Sequence, residues 1–402
     1  MIRNLTNVRG IKCWGAHIGI KSLKRDLAII YSKVPCKVAS VFTRNVVLSE
    51  CVKLTKKQVE DGIAQAIVVN SGNANTCTGE QGRLGAEAMA ETVATELNIK
   101  KEDVIVGSTG VIGQPFPTDI VVEGIKKNAS RLSKKNIAGE LAANAILTTD
   151  TFSKAGFEAF TLDKRRIHIA GIAKGSGMIH PDMGTMMAFI CCDIAIDQQL
   201  LQKTFKEAVN KSFNMISVDG DTSTNDMAFV MCNGLAGNKE LTYENQRGYR
   251  VFKDRLDKLC LHLAKLIVSD GEGATKMIEY KVVNAPDEES ARKIVRTISD
   301  SSLVKTAIFG RDPNWGRIIA AAGRAGVNFD QDKIDLFIGT RDNIQLLDKG
   351  KPTYIKLTRL KRMMRATHIH IKLSLNMGEA SATGWGSDLS EEYVRFNSEY
   401  TT

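Results

Sequence analysis

Apolar runs of strand length recur along this chain, each stopped by glycine and small polar residues, with stretches of helical spacing between them. That alternation limits the fold more than any other feature, because neither an all-helical bundle nor an all-strand sandwich is written this way. Residues 66–70 predict a buried strand, as do 104–107, 167–173, 186–196 and 277–283. Ala and Leu at helical spacing predict a helix over 79–97, with Thr78 as its N-cap. Pro117 and Thr118 open a second helix, and 136–146, 198–213, 249–268 and 288–298 are further ones. Residues 368–375 alternate apolar and polar, so they form a strand with one buried face. The class is therefore α/β (α+β). No repeat or low-complexity segment interrupts it, and the order of strands is not legible.

With 402 residues, the chain can build two domains or one large one. No apolar run approaches the ~18 residues of a spanning helix. The N-terminal segment lacks the apolar core and small-residue cleavage site of a secretion signal. A cytoplasmic protein without membrane contact is expected. The eight cysteines are scattered without a CxxC pair, which predicts buried, inert thiols. His368 and His370 share one strand face but lack a third ligand, so no metal is expected. The net charge of +10 concentrates in residues 349–365, which hold one aromatic, Tyr354, and no nucleic-acid motif. A solvated basic face is the expectation, and nucleic-acid binding is not.

Glycine clusters with small polar residues at 70–75, 107–113, 174–177, 270–273 and 384–387 suggest a built binding site. The richest segment is 174–193, KGSGMIHPDMGTMMAFICCD. It runs from a glycine-rich loop through a Pro-Asp turn to Gly184-Thr185 and an apolar strand. A threonine hydroxyl behind a glycine can attack the preceding carbonyl, since glycine tolerates the strained backbone this needs. The α-amine released would have a pKa near ~7.7–8.0, suited to a general base. Taken alone, Gly184-Thr185 fits the ordinary start of a strand better than a cleavage site. His180 is expected to be a loop histidine, not a catalytic one.

The segment resembles the cleavage motif of the ornithine acetyltransferase (glutamate N-acetyltransferase) family, and the resemblance covers essentially the whole chain. Further matches are Ser71-Gly-Asn-Ala-Asn75, Gly107-Ser-Thr-Gly110, Thr148-Thr-Asp-Thr151, Asp219-Gly-Asp-Thr-Ser-Thr-Asn225, Asp270-Gly-Glu-Gly-Ala-Thr-Lys276, Gly310-Arg-Asp-Pro-Asn-Trp-Gly-Arg317 and Asn397-Ser-Glu-Tyr-Thr-Thr402. Gly184 stands where many members have alanine. The resemblance implies self-cleavage between Gly184 and Thr185 into chains 1–184 and 185–402, with a smaller C-terminal α/β domain from about residue 277. It implies a layered α/β/β/α-type sandwich of the ornithine acetyltransferase/β-aminopeptidase group, and an assembly of two alpha and two beta chains.

The implied reaction moves acetyl from N2-acetylornithine to glutamate by a ping-pong route through acetyl-Thr185. Thr109 and Gly110 are implied as the oxyanion hole. Thr148, Lys174, Thr185, Glu272, Asn397 and Thr402 are implied as substrate contacts. No cofactor is implied, and acetyl-CoA as an additional donor stays open. The alternative is a self-processing β-aminopeptidase-like hydrolase.

Overall fold

The computed structural model describes residues 3–180, 186–340 and 343–399. The architecture is mixed α/β with two sheets, so the expected class holds. Among the described residues the first sheet has eight strands. Its path runs from Val104–Val111 through Ile63–Asn73, Leu27–Phe42, Met227–Cys232, Met187–Cys192 and Arg165–Lys174 to Lys154–Leu162, with Ile11–Ala16 beside Leu27–Phe42. Leu27–Phe42 is the hub. Its first half pairs with Ile63–Asn73 and its second half with Met227–Cys232. The two parallel pairs are Ile63–Asn73 with Val104–Val111, and Met187–Cys192 with Met227–Cys232.

Both faces of this sheet are covered, which explains strands such as Met187–Cys192 that are buried at every position. On one face, alternate residues including Ile30, Ile67, Phe189 and Phe229 pack with Ala142, Ala143 and Ala145 of the helix Asn136–Ala145. On the other, Leu27, Ile29, Val68 and Val106 pack against the helix Gly79–Leu97. Further along that face, Ala39, Ile167, Ala188 and Val230 meet the helices Gln198–Lys211 and Tyr249–Ser269. The second, seven-stranded sheet runs from Lys351–Pro352 through Asn343–Asp348, Asp335–Gly339, His368–Ser374, Met277–Ala285 and Ala380–Ser387 to Ile216–Ser217. The helix Glu288–Ser299 lies on it, and Tyr249–Ser269 touches both sheets.

Local signals explain most boundaries. Asp197 caps Gln198–Lys211 by accepting from the Leu200 amide, and Asp287 caps Glu288–Ser299 through Ser290. Thr78 precedes Gly79–Leu97 but makes no cap bond, because its hydroxyl donates to Asn75 Oδ1 at 2.7 Å instead. Seven cysteines are buried, whereas Cys77 is exposed and departs from the expectation. Among the described residues, no three His, Cys, Asp or Glu side chains form a metal cluster, and no helix is long and apolar enough to cross a membrane.

Gly15, in Ile11–Ala16, permits a close approach of the helix Asn136–Ala145 to the first sheet. A Cβ there would stand 2.0 Å from the Leu141 carbonyl oxygen in Asn136–Ala145, and backbone cannot move aside cheaply. Gly15→Ala should therefore destabilise the protein by about 1–3 kcal/mol, seen as a lower urea midpoint. An unchanged midpoint would refute that contact.

Candidate active site

A cleft of about 220 Å³ opens at the end of the first sheet. Thr109, Gly110, Thr148, Lys174, Glu272 and Asn397 all line it, from five stretches of sequence. The floor comes from Val104–Val111, whose pairing with Ile63–Asn73 becomes irregular after Gly72 sits opposite Gly110. Gly110 has φ +138°, and a Cβ on it would meet the Gly72 backbone at 2.3 Å. Only glycine suits that position. The crowding presents Thr109 and the Gly110 peptide at the strand end.

Lys174 closes Arg165–Lys174 and sits opposite Met187 in the ladder. It is 9% exposed, and its Nζ lies 3.4 Å from Thr109 Oγ1, a long contact. Beneath it is a buried ion triad. Lys154 Nζ, fully buried, donates to Asp150 Oδ1 at 2.6 Å and Asp270 Oδ2 at 2.5 Å. Asp150 also accepts from the amides of Gly175 (2.8 Å) and Thr148 (3.0 Å). Burial disfavours the Asp150 charge, but Lys174, Lys154 and the Gly175 amide outweigh it and hold the carboxyl down at about 2. Asp270 accepts from the Thr151 amide and hydroxyl, and its carbonyl from Ser176 Oγ at 2.5 Å. Ser176 in turn accepts the Glu272 amide at 3.1 Å. One buried lysine thus ties the Thr148 turn and the Lys174 loop to the Glu272 turn.

Carboxylates also line the cleft, those of Asp219, Asp221, Asp226 and Glu272. Glu272 is 8% exposed and accepts from Asn397 Nδ2 at 2.9 Å. Gly177 leaves room for it, since a Cβ there would meet the carboxylate at 2.3 Å. Asn397 belongs to the helix Glu391–Glu399, so the described part of the C-terminal segment is helical and set against the cleft. Tyr393, one turn earlier, also lines the cleft. Burial, with Asp219, Glu272 and Asp221, pushes its phenol well above the usual range, so it stays protonated and can donate. Asp219 accepts the amides of Met178 and Ile179 at 2.6 and 2.7 Å, and burial pushes its carboxyl up.

Gly184, Thr185 and Thr402 lie outside the described residues. Met186, the covalent neighbour of Thr185, is buried and lines the cleft. His180 does not line it; its Nε2 lies 2.6 Å from Arg296 Nη2 and its Nδ1 3.0 Å from Asp300 Oδ1. Sequence reasoning missed Asp219 and Tyr393. Asp219 had a signal in its Asp-Gly-Asp motif, but nothing in the sequence marks Tyr393.

The family model described as the ArgJ family matches residues 12–402. The arginine biosynthesis bifunctional protein ArgJ of Caldanaerobacter subterraneus subsp. tengcongensis is 46% identical over 398 residues, covering 98% of this chain and 97% of that protein. ArgJ 1 of Clostridium acetobutylicum is 45% identical over 99% of this chain and 97% of its own. In the crystal structure of the arginine biosynthesis bifunctional protein argJ from Bacillus halodurans, the solved chain is 42% identical with a TM-score of 0.50, over 52% of this chain and 96% of that one. The match of nearly every residue, at this identity, establishes that the chain belongs to the ArgJ family.

Proposed function

We propose that this chain is a glutamate N-acetyltransferase of arginine biosynthesis, passing acetyl from N2-acetylornithine to glutamate through an ester on Thr185. The observation that carries the reading is the convergence of Lys174, Glu272, Thr109 and Gly110 on one cleft that Met186 also lines. N-acetylornithine offers a carboxylate, an acetamide and an ammonium. Lys174 answers the first and Glu272 the last, with the acetyl carbonyl left over the Thr109–Gly110 floor.

The chain first activates itself. Thr185 Oγ attacks the Gly184 carbonyl, the peptide bond becomes an ester, and water splits it to leave a carboxylate on Gly184 and a free amine on Thr185. Met178, in the loop that leads toward this segment, is a non-glycine residue at φ +56° whose amide is held by Asp219. The Bacillus halodurans chain is matched over 96% of its length by 52% of this one, the size relation of a fragment to an uncut chain. Chains 1–184 and 185–402 would remain together, because Met187–Cys192 and Met227–Cys232 lie in the first sheet between strands that precede residue 184. Pairing of two such units into an α2β2 assembly, a smaller domain from about residue 277 and a cytoplasmic location belong to the same reading.

In transfer, the Thr185 amine takes the hydroxyl proton while Oγ attacks the acetyl carbonyl. Thr109 Oγ–H and Gly110 N–H receive the oxyanion, a pair typically worth a few kcal/mol. Ornithine leaves with the proton, and the glutamate amine attacks the ester from the emptied site. Both amino acids need the same carboxylate contact, so binding alternates and kinetics are ping-pong. The same reading includes acetyl-CoA as an additional donor; the relatives are named bifunctional without naming one.

With N-acetylornithine and labelled glutamate, the expected product is labelled N-acetylglutamate. Acetate without labelled product would instead mean a hydrolase. Thr185→Ala should give one uncut, inactive chain by intact mass, and Thr185→Ser should still be cut. An active Thr185→Ala enzyme would overturn the assignment.

A further inference from the structure

We propose that Lys21 is a positioning residue of this cleft: a second cation that holds the turn carrying Thr148 and adds its charge to that of Lys174 where a substrate carboxylate docks. The inference rests on the transferase reading above and adds a residue to which that reading gives no role.

Lys21 is remote in sequence from every other part of the site, and three features bring it there. First, Asp26 folds the loop around itself. Its carboxylate accepts the amides of Ile18 (2.6 Å), Ile20 (2.8 Å) and Lys21 (2.9 Å), and this fixes where the Lys21 side chain starts. Second, Gly72 lets the lysine stem cross the sheet. A Cβ on Gly72 would meet Lys21 Cγ at 3.0 Å and Ile20 Cγ2 at 2.9 Å, and Gly72 has φ +107°. Gly72 is the residue opposite Gly110, so the lysine stem lies over the strand pair that forms the cleft floor. Third, Lys21 Nζ donates to the Leu147 carbonyl at 2.9 Å. Leu147 is joined to Thr148, whose own amide is held by Asp150. The Thr148 turn is thus gripped from both sides, by Lys21 at its carbonyl and by Asp150 at its amide.

The ammonium is half-buried, and the charged groups facing it are Asp26, Lys24, Asp150 and Lys174. Burial, reinforced by Lys24 and Lys174 and opposed by Asp26 and Asp150, brings its value down to about 8. The sign follows directly. Below pH 8 the protonated form grips Leu147 and attracts a carboxylate, and as pH rises through 8 both effects fade. A loop lysine that only solvates the surface would do neither.

The test is the pH dependence of KM for N-acetylornithine in wild type, Lys21→Met and Lys21→Arg. Lys21→Met should raise KM about tenfold at pH 7, as expected for loss of one charge-assisted contact, with a smaller change in kcat. Wild-type KM should climb above pH 8, and Lys21→Arg, which stays charged, should climb less. Unchanged KM in Lys21→Met overturns the proposal. So does an alkaline climb in Lys21→Arg identical to that of wild type, an arm that decides the matter even if Lys21→Met does not fold. A wild-type enzyme that transfers no acetyl group removes the parent reading, whereas normal transfer with unchanged KM in Lys21→Met removes the Lys21 assignment alone.

Discussion

The buried contact of Lys154 with Asp150 and Asp270 is what the rest of the site depends on. Two carboxylates and one ammonium out of water are costly to assemble, and removing one partner of such a group typically costs about 3–5 kcal/mol. Here the cost is offset by saturation with hydrogen bonds. Asp150 also takes the Thr148 and Gly175 amides, and Asp270 takes Thr151 twice. The result is a rigid spacing between Lys174 and Glu272. Those two residues lie 98 positions apart in sequence by their numbers, yet they line one cleft. The triad also joins residues on both sides of 184, so a chain cut there would keep its site.

The cleft carries both signs of charge. Lys174 supplies an ammonium, and Glu272 and Asp219 supply carboxylates. A zwitterionic amino acid can pair with both. Low dielectric strengthens both pairings, because Lys174 and Glu272 are each more than nine-tenths buried. The helix Glu391–Glu399 adds to this lining by placing Asn397 on Glu272 and Tyr393 beside Asp219. None of its residues is fully buried, so what holds this helix is largely polar contact with the cleft.

Much of this was legible in the sequence. The strands at 104–107 and 167–173 and the helices at 79–97 and 249–268 follow from periodicity; the structure keeps 79–97 as it stands and extends the other three by one to four residues. Leu27–Phe42 is far less legible because Pro35 lies in its middle, where proline ordinarily argues against a strand. It is tolerated there because the pairing with Ile63–Asn73 shifts register between Tyr31 and Cys36, so the missing N–H is not needed. Of the glycine clusters, 107–113, 174–177 and 270–273 contribute to the cleft lining, where Gly110 and Gly177 admit close neighbours, whereas 70–75 and 384–387 do not line it. Lys154, Lys21 and Tyr393 were illegible for a different reason. A lysine or tyrosine acquires its role from what lies across the fold, and no local pattern separates these from solvated ones.

The central claim is that acetyl rests on Thr185 between donor and acceptor. The direct measurement is the intact mass of both chains after mixing the enzyme with N-acetylornithine in the absence of glutamate. The account predicts that the chain beginning at Thr185 gains the mass of one acetyl group and loses it when glutamate is added. Steady transfer to glutamate with neither chain ever carrying the acetyl group, or an acetyl group found on chain 1–184, would contradict it.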